Sequence, residues 1–197
     1  MGIKNTINIG LTTQATPTAI TRAGSVNGLF PVTLWAGPSS DFTLLAQLGV
    51  QPVFPTTIDV VTLEANTTYL MTGQYILNTG ATTHTTAMAF ALGGSASVTS
   101  FEYLVNMWSS AINTISTTQS STHVSGVASK VLNATSTAVW TLIQFTGMVR
   151  MNAGGTITPQ INFSANPTGT NLTKVGSFIQ FVPIGTGSVV STSTAFG

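Results

Sequence analysis

Cysteine is absent from the 197 residues, which removes disulfides, thiol nucleophiles and thiolate metal sites in one step. Charge is almost as scarce: five Lys and Arg stand against four Asp and Glu, a net of +1. An ordinary soluble domain has roughly a quarter of its residues charged. So thin a basic content excludes an electrostatic nucleic-acid binder, which needs many Lys and Arg to displace counterions. Long apolar runs are missing as well. The stretch around Ala87 to Leu92 is far short of the roughly 20 residues that a membrane-crossing helix requires. The opening residues Met1 to Asn8 hold no apolar core of leader length. The expectation is a chain made in a cytosol, neither exported nor anchored.

What fills the space is hydroxyl. The chain holds 36 Thr and 19 Ser, and hydrophobic residues make up 43% of it, enough to drive folding rather than disorder. Thr is β-branched and suits the solvated face of a strand. Helix formers with charged heads are too few to give an exposed helix its polar face. The composition therefore predicts a neutral, mostly β protein. Little charge repulsion keeps copies of such a surface apart, which favours an oligomer or a place in a larger assembly.

Along the chain, residues 1–57 differ from the rest. They hold Pro17, Pro31, Pro38, Pro52 and Pro55, five of the eight prolines. Short alternating bursts lie between them, among them Ile7, Ile9 and Leu11, and Phe30, Val32 and Leu34. Proline beside such bursts keeps them from the centre of a sheet. This segment reads as an extended N-terminal arm, with Ile7, Ile9 and Leu11 as its docking residues. Asp41 to Gly49 reads as two helical turns ended by glycine.

From residue 58 a period of two sets in. Tyr69, Met71, Gly73, Tyr75 and Leu77 share one face of a strand, with Thr72 and Gln74 on the other, and Asn78-Thr-Gly reads as a turn. Met88, Phe90 and Leu92 line a second strand, and Phe101, Tyr103, Val105 and Met107 a third. Val139, Thr141, Ile143 and Phe145 mark a strand whose opposite face carries Trp140, Leu142 and Met148. That strand is expected to be buried on both faces, between sheets or against another subunit. Ile157, Ile161 and Phe163 follow, then Phe178 to Ile184. About eight strands with turn signals every 8 to 15 residues predict an all-β fold, an antiparallel eight-stranded jelly-roll sandwich. The domain plan is an arm over 1–57, a jelly roll over 58–185 and a Gly/Ser/Thr-rich tail over 186–197.

Candidate chemistry is thin. His84 and His123 both sit among Thr and Ser and read as surface histidines in or near turns. No serine occupies a G-x-S-x-G elbow. The acids Asp41, Asp59, Glu64 and Glu102 show neither paired-carboxylate nor metal-loop spacing. No enzyme, cofactor or metal is expected. Trp35, Trp108 and Trp140 are expected at an interface, where aromatics are enriched.

Three runs together resemble a known group: Phe54–Tyr75 (FPTTIDVVTLEANTTYLMTGQY), Thr82–Phe90 (TTHTTAMAF) and Phe145–Pro167 (FTGMVRMNAGGTITPQINFSANP). They resemble the jelly-roll heads of virion proteins of tailed phages, trimeric heads similar to those of the tumour-necrosis-factor type. The resemblance spans about 54–184. It implies a homotrimer and no catalytic motif. Only some 57 residues precede the head, too few for a long fibre shaft. The expectation is therefore a capsid decoration (cement) protein on the outer surface of a virion, made in the host cytoplasm and bound to the major capsid protein. The alternative is the receptor-binding tip of a short fibre, with loops around His84 and His123 meeting a host glycan.

Overall fold

The computed structural model describes residues 34–45, 49–110, 118–133, 137 and 139–186. The docking residues Ile7, Ile9 and Leu11 lie outside the described residues, as does nearly all of the 186–197 tail. The described chain is all β. Its strands are β1 (Leu34–Ala36), β2 (Phe42–Leu44), β3 (Gly49–Pro52), β4 (Val61–Leu63), β5 (Thr67–Asn78), β6 (Thr86–Gly93), β7 (Ser97–Ser110), β8 (Thr118–Ser125), β9 (Lys130–Val131), β10 (Trp140–Ala153), β11 (Gly155–Phe163), β12 (Asn171–Thr173) and β13 (Phe178–Thr186).

Two antiparallel sheets face each other. The large one runs β1-β13-β5-β10-β7-β8, with β12 beside β5 and β2 beyond it; the small one runs β3-β11-β6-β9, with β4 also on β11. The chain passes between them repeatedly: β5 lies in the large sheet, β6 in the small, β10 in the large and β11 in the small. The expected sandwich is what forms. The strand total exceeds eight because segments of two to four residues pair onto the long strands.

The period-two pattern dictates the core. Tyr69, Met71, Tyr75 and Leu77 of β5 are buried together with Phe101, Tyr103, Val105 and Met107 of β7 and with Ile143 and Phe145 of β10. Met88 and Phe90 of β6 and Ile157, Ile161 and Phe163 of β11 meet them from the small sheet. Each large side chain so buried stabilises the fold by roughly 1.5–3 kcal/mol before chain entropy is counted. Phe90 packs edge-on against Tyr103, with ring centroids 5.6 Å apart.

Proline placement follows from hydrogen bonding. Pro52 ends β3, an edge strand. Pro183 sits at the register shift of β13 against β5. Pro159 lies inside β11, where the neighbouring strand changes from β3, paired at 160–163, to β4, paired at 155–157. The N and O of a strand residue point to the same side, and the Pro159 carbonyl accepts from Val53 N (3.1 Å) on that side. The missing N–H thus falls in the gap between β3 and β4, where it breaks no ladder bond.

Two expectations need correction. Asp41 to Gly49 is not helical where it is described: Phe42–Leu44 is β2, paired with Asn171–Thr173, and Gly49 opens β3. Two helical turns are marginal in isolation, whereas β12 offers a free edge, and Lys174 and the Val175 N–H both bind the Asp41 carboxylate. The second concerns β10. Its outer face is not enclosed between sheets: Met148 is 52% exposed. The strand buried on both sides is β6 over Thr86–Phe90, where Ala87 and Ala89 fill the outer face. Within the 1–57 segment, where short strands are expected, β1, β2 and β3 form, and Val53 and Phe54 are fully buried.

Candidate interaction surface

Both sheets mix polar and apolar side chains on their outer faces, the small one exposing Val50 and Val131. On the small sheet, β11 presents Thr156, Thr158, Gln160 and Asn162 outward, between the buried positions of its inner face. On the large sheet the pairing register builds rows that mix apolar with neutral polar groups. One row is Val182, Leu70, Met148, Glu102 and Ser125; the next is Gln180, Thr72, Thr146, Leu104 and His123. Then comes a row that is polar from β5 to β8, Gln74, Gln144, Asn106 and Ser121, and beyond it one that joins Ile76, Leu142, Trp108 and Gln119. Leu70, Leu104, Met148 and Ile184 are each 39% exposed or more. They are four of the nine exposed large apolar side chains among the described residues, which makes this face a candidate for association.

The size fits that reading. From β13 to β8 there are five strands, about 20 Å across at 4.8 Å spacing, and the longest run of them rises about 40 Å, an area on the order of 800 Å². That is roughly what one partner contributes to a stable interface. Charge on this face is sparse and mixed in sign: Glu102 and Arg150 lie on adjacent strands, and Lys174 stands 5.9 Å from the centre of the Trp140 ring.

The structure separates the two histidines that the sequence read together. His84 is not a surface histidine: it is 3% exposed, edge-on to Phe163 at 5.2 Å between centroids. Its Nδ1 lies 2.7 Å from the Thr82 carbonyl, an acceptor, so Nδ1 carries the proton. The residue braces the segment between β5 and β6 and offers no ring to solvent. No local signal marks this burial, because the covering Phe163 comes from a distant strand.

His123 is exposed and lies within β8 rather than in a turn. Its Nε2 is 2.9 Å from Glu102 Oε2, and Ser125 Oγ donates to Glu102 Oε1 at 2.6 Å. Ser, Glu and His thus form one cluster at the corner of the apolar face. Both partners bind the carboxylate, so the serine proton points to Glu102 and not to the imidazole, unlike a histidine-activated nucleophile. Only the β7–β8 register, Glu102 opposite Ser125 and Leu104 opposite His123, brings these residues together. Among the described residues no three of His, Asp and Glu gather as metal ligands would.

At the other end, Asp41 joins Lys174 and accepts from Val175 N (3.0 Å). The Lys174 ammonium, then the Val175 N–H, hold its carboxyl below the ordinary value. Burial pushes the Asp59 carboxyl up. Trp108 and Trp140 are both half-buried on the outer face of the large sheet.

No family model matches the chain, and no curated protein matches it. Among solved structures it is similar to a chain of "Structure of infectious bursal disease virus Gx strain", at TM-score 0.21 and 10% identity over 78% of this chain and 39% of that one. A chain of the Gt strain structure of the same virus gives TM-score 0.20 and 9% identity over 78% and 41%. The chain therefore spans about two fifths of the length of either.

Proposed function

We propose that this chain is a structural protein of a virion: a capsid decoration (cement) protein that works as a homotrimer on the outer shell. The observation that carries the reading is the outer face of the large sheet, where exposed Leu70, Leu104 and Met148 stand among neutral polar side chains and charges are few. Its occupant is a second copy of the chain. A face with few charges of mixed sign, Glu102, Arg150 and Lys174, suits another neutral patch of the same chain better than a charged partner, and a three-fold ring joins it to a different patch of the neighbouring copy. The likeness to phage virion heads in the runs 54–75, 82–90 and 145–167 supports the same reading from the sequence side.

In this reading the trimer core makes no chemistry. It presents three arms, each with Ile7, Ile9 and Leu11, which add strands to edges of the major capsid protein and bury those side chains. Once one arm is bound, the other two bind at raised effective concentration, so contacts that are weak singly hold the shell against internal pressure. No cofactor, metal or nucleic acid takes part, and the protein is not an enzyme.

Immunogold electron microscopy of intact virions tests the assignment. Label over the whole head at many sites supports decoration. Label confined to the end of a tail or fibre replaces it with the receptor-binding reading, for which Gln119, His123 and Trp108 then become the groups to mutate. His84, being buried, has no part in that alternative.

A further inference from the structure

One end of the sandwich interior is polar. Thr79, Asn171 and Thr173 are 5%, 1% and 0% exposed. Thr79 Oγ1, Asn171 Nδ2 and Thr173 Oγ1 have no hydrogen-bond partner among the described residues. The backbone brings the three together. Thr173 pairs with Leu77 and Leu172 with Asn78, so one further step of the antiparallel ladder sets Asn171 across from Thr79.

The Asn171 amide is oriented. Gly80 N–H donates to its Oδ1 at 3.1 Å, so the oxygen is engaged and the buried NH₂ group is the one without a partner among the described residues. The surrounding chain is tightly closed. A Cβ on Gly80 would stand 2.0 Å from the Thr168 carbonyl oxygen, and Thr82 N bonds the Pro167 carbonyl at 3.2 Å. Native interiors leave few buried polar groups unpaired, and three in one place call for a common partner.

The donor set selects that partner. Two hydroxyls can each give or accept a hydrogen bond, and the Asn171 NH₂ group, with two hydrogens, can only donate. A cation is disfavoured, since the NH₂ hydrogens would point at it and no carboxylate balances it. A single water accepts from Asn171 Nδ2 and exchanges hydrogen bonds with both hydroxyls, the three contacts usual for a buried water.

We infer that Thr79, Asn171 and Thr173 bind an ordered internal water that ties β12 to the end of β5. The water completes the hydrogen bonding of the closed end and joins the 79–85 segment to the 164–173 segment. It is independent of the virion reading, because it rests on the interior of one subunit.

A crystal structure of the full chain at a resolution that shows solvent, together with the Thr173→Val variant, tests it. The expected result is a density peak at about 3 Å from all three polar atoms and a fall in melting temperature of several degrees for the variant, which keeps the side-chain shape but takes away one partner. A dry site in which the three atoms pair with protein groups would overturn the inference. So would a higher melting temperature for Thr173→Val, because losing an unpaired hydroxyl from a dry site relieves the fold. Where Thr173→Val fails to fold, the density in the unaltered protein decides alone.

Discussion

Phe145 lies across the space that a side chain at Gly73 would occupy. The two residues face each other on β10 and β5, and a Cβ on Gly73 would stand 2.3 Å from Phe145 Cζ and 2.7 Å from the Phe178 carbonyl oxygen. Seated over the glycine, the ring reaches Tyr75 at 5.0 Å between centroids and Phe90 of the opposite sheet at 6.4 Å. Gly147 plays the same part beside Tyr103, whose Cβ would be 2.4 Å from a Cβ at that position. Two glycines in long strands, a pattern that alone weakens a sheet, here make room for the aromatic layer between the sheets.

Gly73→Ala is therefore expected to destabilise the fold by about 1–3 kcal/mol through overpacking. The double variant Gly73→Ala with Phe145→Leu should cost less than the sum of the two single changes, because the smaller side chain vacates the space. Urea denaturation of the four proteins measures the coupling directly. Strict additivity would mean that the backbone at Gly73, not the ring, resists the methyl group.

The outer face of the large sheet gives the second prediction. Met148→Lys places a charge in the middle of the row formed by Val182, Leu70 and Glu102. Met148 is already half in solvent, so the isolated subunit should change in stability by no more than about 0.5 kcal/mol. Self-association should be lost, because the lysine and its cross-strand neighbour Glu102 would have to be desolvated together at the contact. Sedimentation velocity reads the outcome: a folded monomer for the variant and an oligomer for the parent. An oligomer of unchanged size in the variant would place the contact elsewhere.

The inner half of this surface is legible in the sequence, and the outer half is not. Tyr69 to Leu77 and Phe101 to Met107 alternate so cleanly that their buried faces follow from period two alone. Trp140, Leu142 and Met148 were legible as apolar, but one strand's pattern does not say whether its second face meets another sheet or open solvent. That depends on which layer lies above it, which is a matter of topology. His84 shows the same limit, since its burial comes from Phe163, far away in the chain. The β2 segment shows another: Phe42-Thr-Leu carries weak local preference, and pairing with β12 decides its conformation. The Glu102, His123 and Ser125 cluster had a readable half, the β7 alternation, but needed the β8 register to close it.

Two carboxyls make opposite contributions to pH dependence. Lys174 and the Val175 N–H lower the Asp41 pKa below its ordinary 3.8, so the unfolded chain binds this proton more readily than the native one. The stabilisation is present above pH 3.8 and is lost as pH falls through the lower native value. Burial raises the Asp59 pKa above 3.8, so here the native state holds the proton more tightly, and stability falls as pH rises through the raised value. Asp41→Asn should therefore lower the melting temperature at pH 7 and lose that effect in strong acid. Asp59→Asn should raise it at pH 7, with the advantage vanishing below pH 3.8. Thermal melts of both variants between pH 2 and 7 check the signs, and parallel curves for either variant would remove its carboxyl from the account.

The last prediction separates the two working parts of the proposed decoration protein. In that proposal the sheet face assembles the subunit and the arm docks it. Deleting residues 1–20 removes Ile7, Ile9 and Leu11 but leaves every described strand intact, since the first of these begins at Leu34. The truncated chain should fold, melt within a few degrees of the parent and sediment as the same oligomer, yet fail to bind undecorated shells. Met148→Lys should do the reverse: its arms are intact, but as a monomer it loses the effective concentration that three linked arms provide. Its shell affinity should drop by roughly 10²-fold or more, while an excess of protein restores binding. Co-sedimentation with shells over a concentration series distinguishes the two. Full occupancy by the truncated chain would remove the arm from the mechanism and turn attention to the exposed edge of β8.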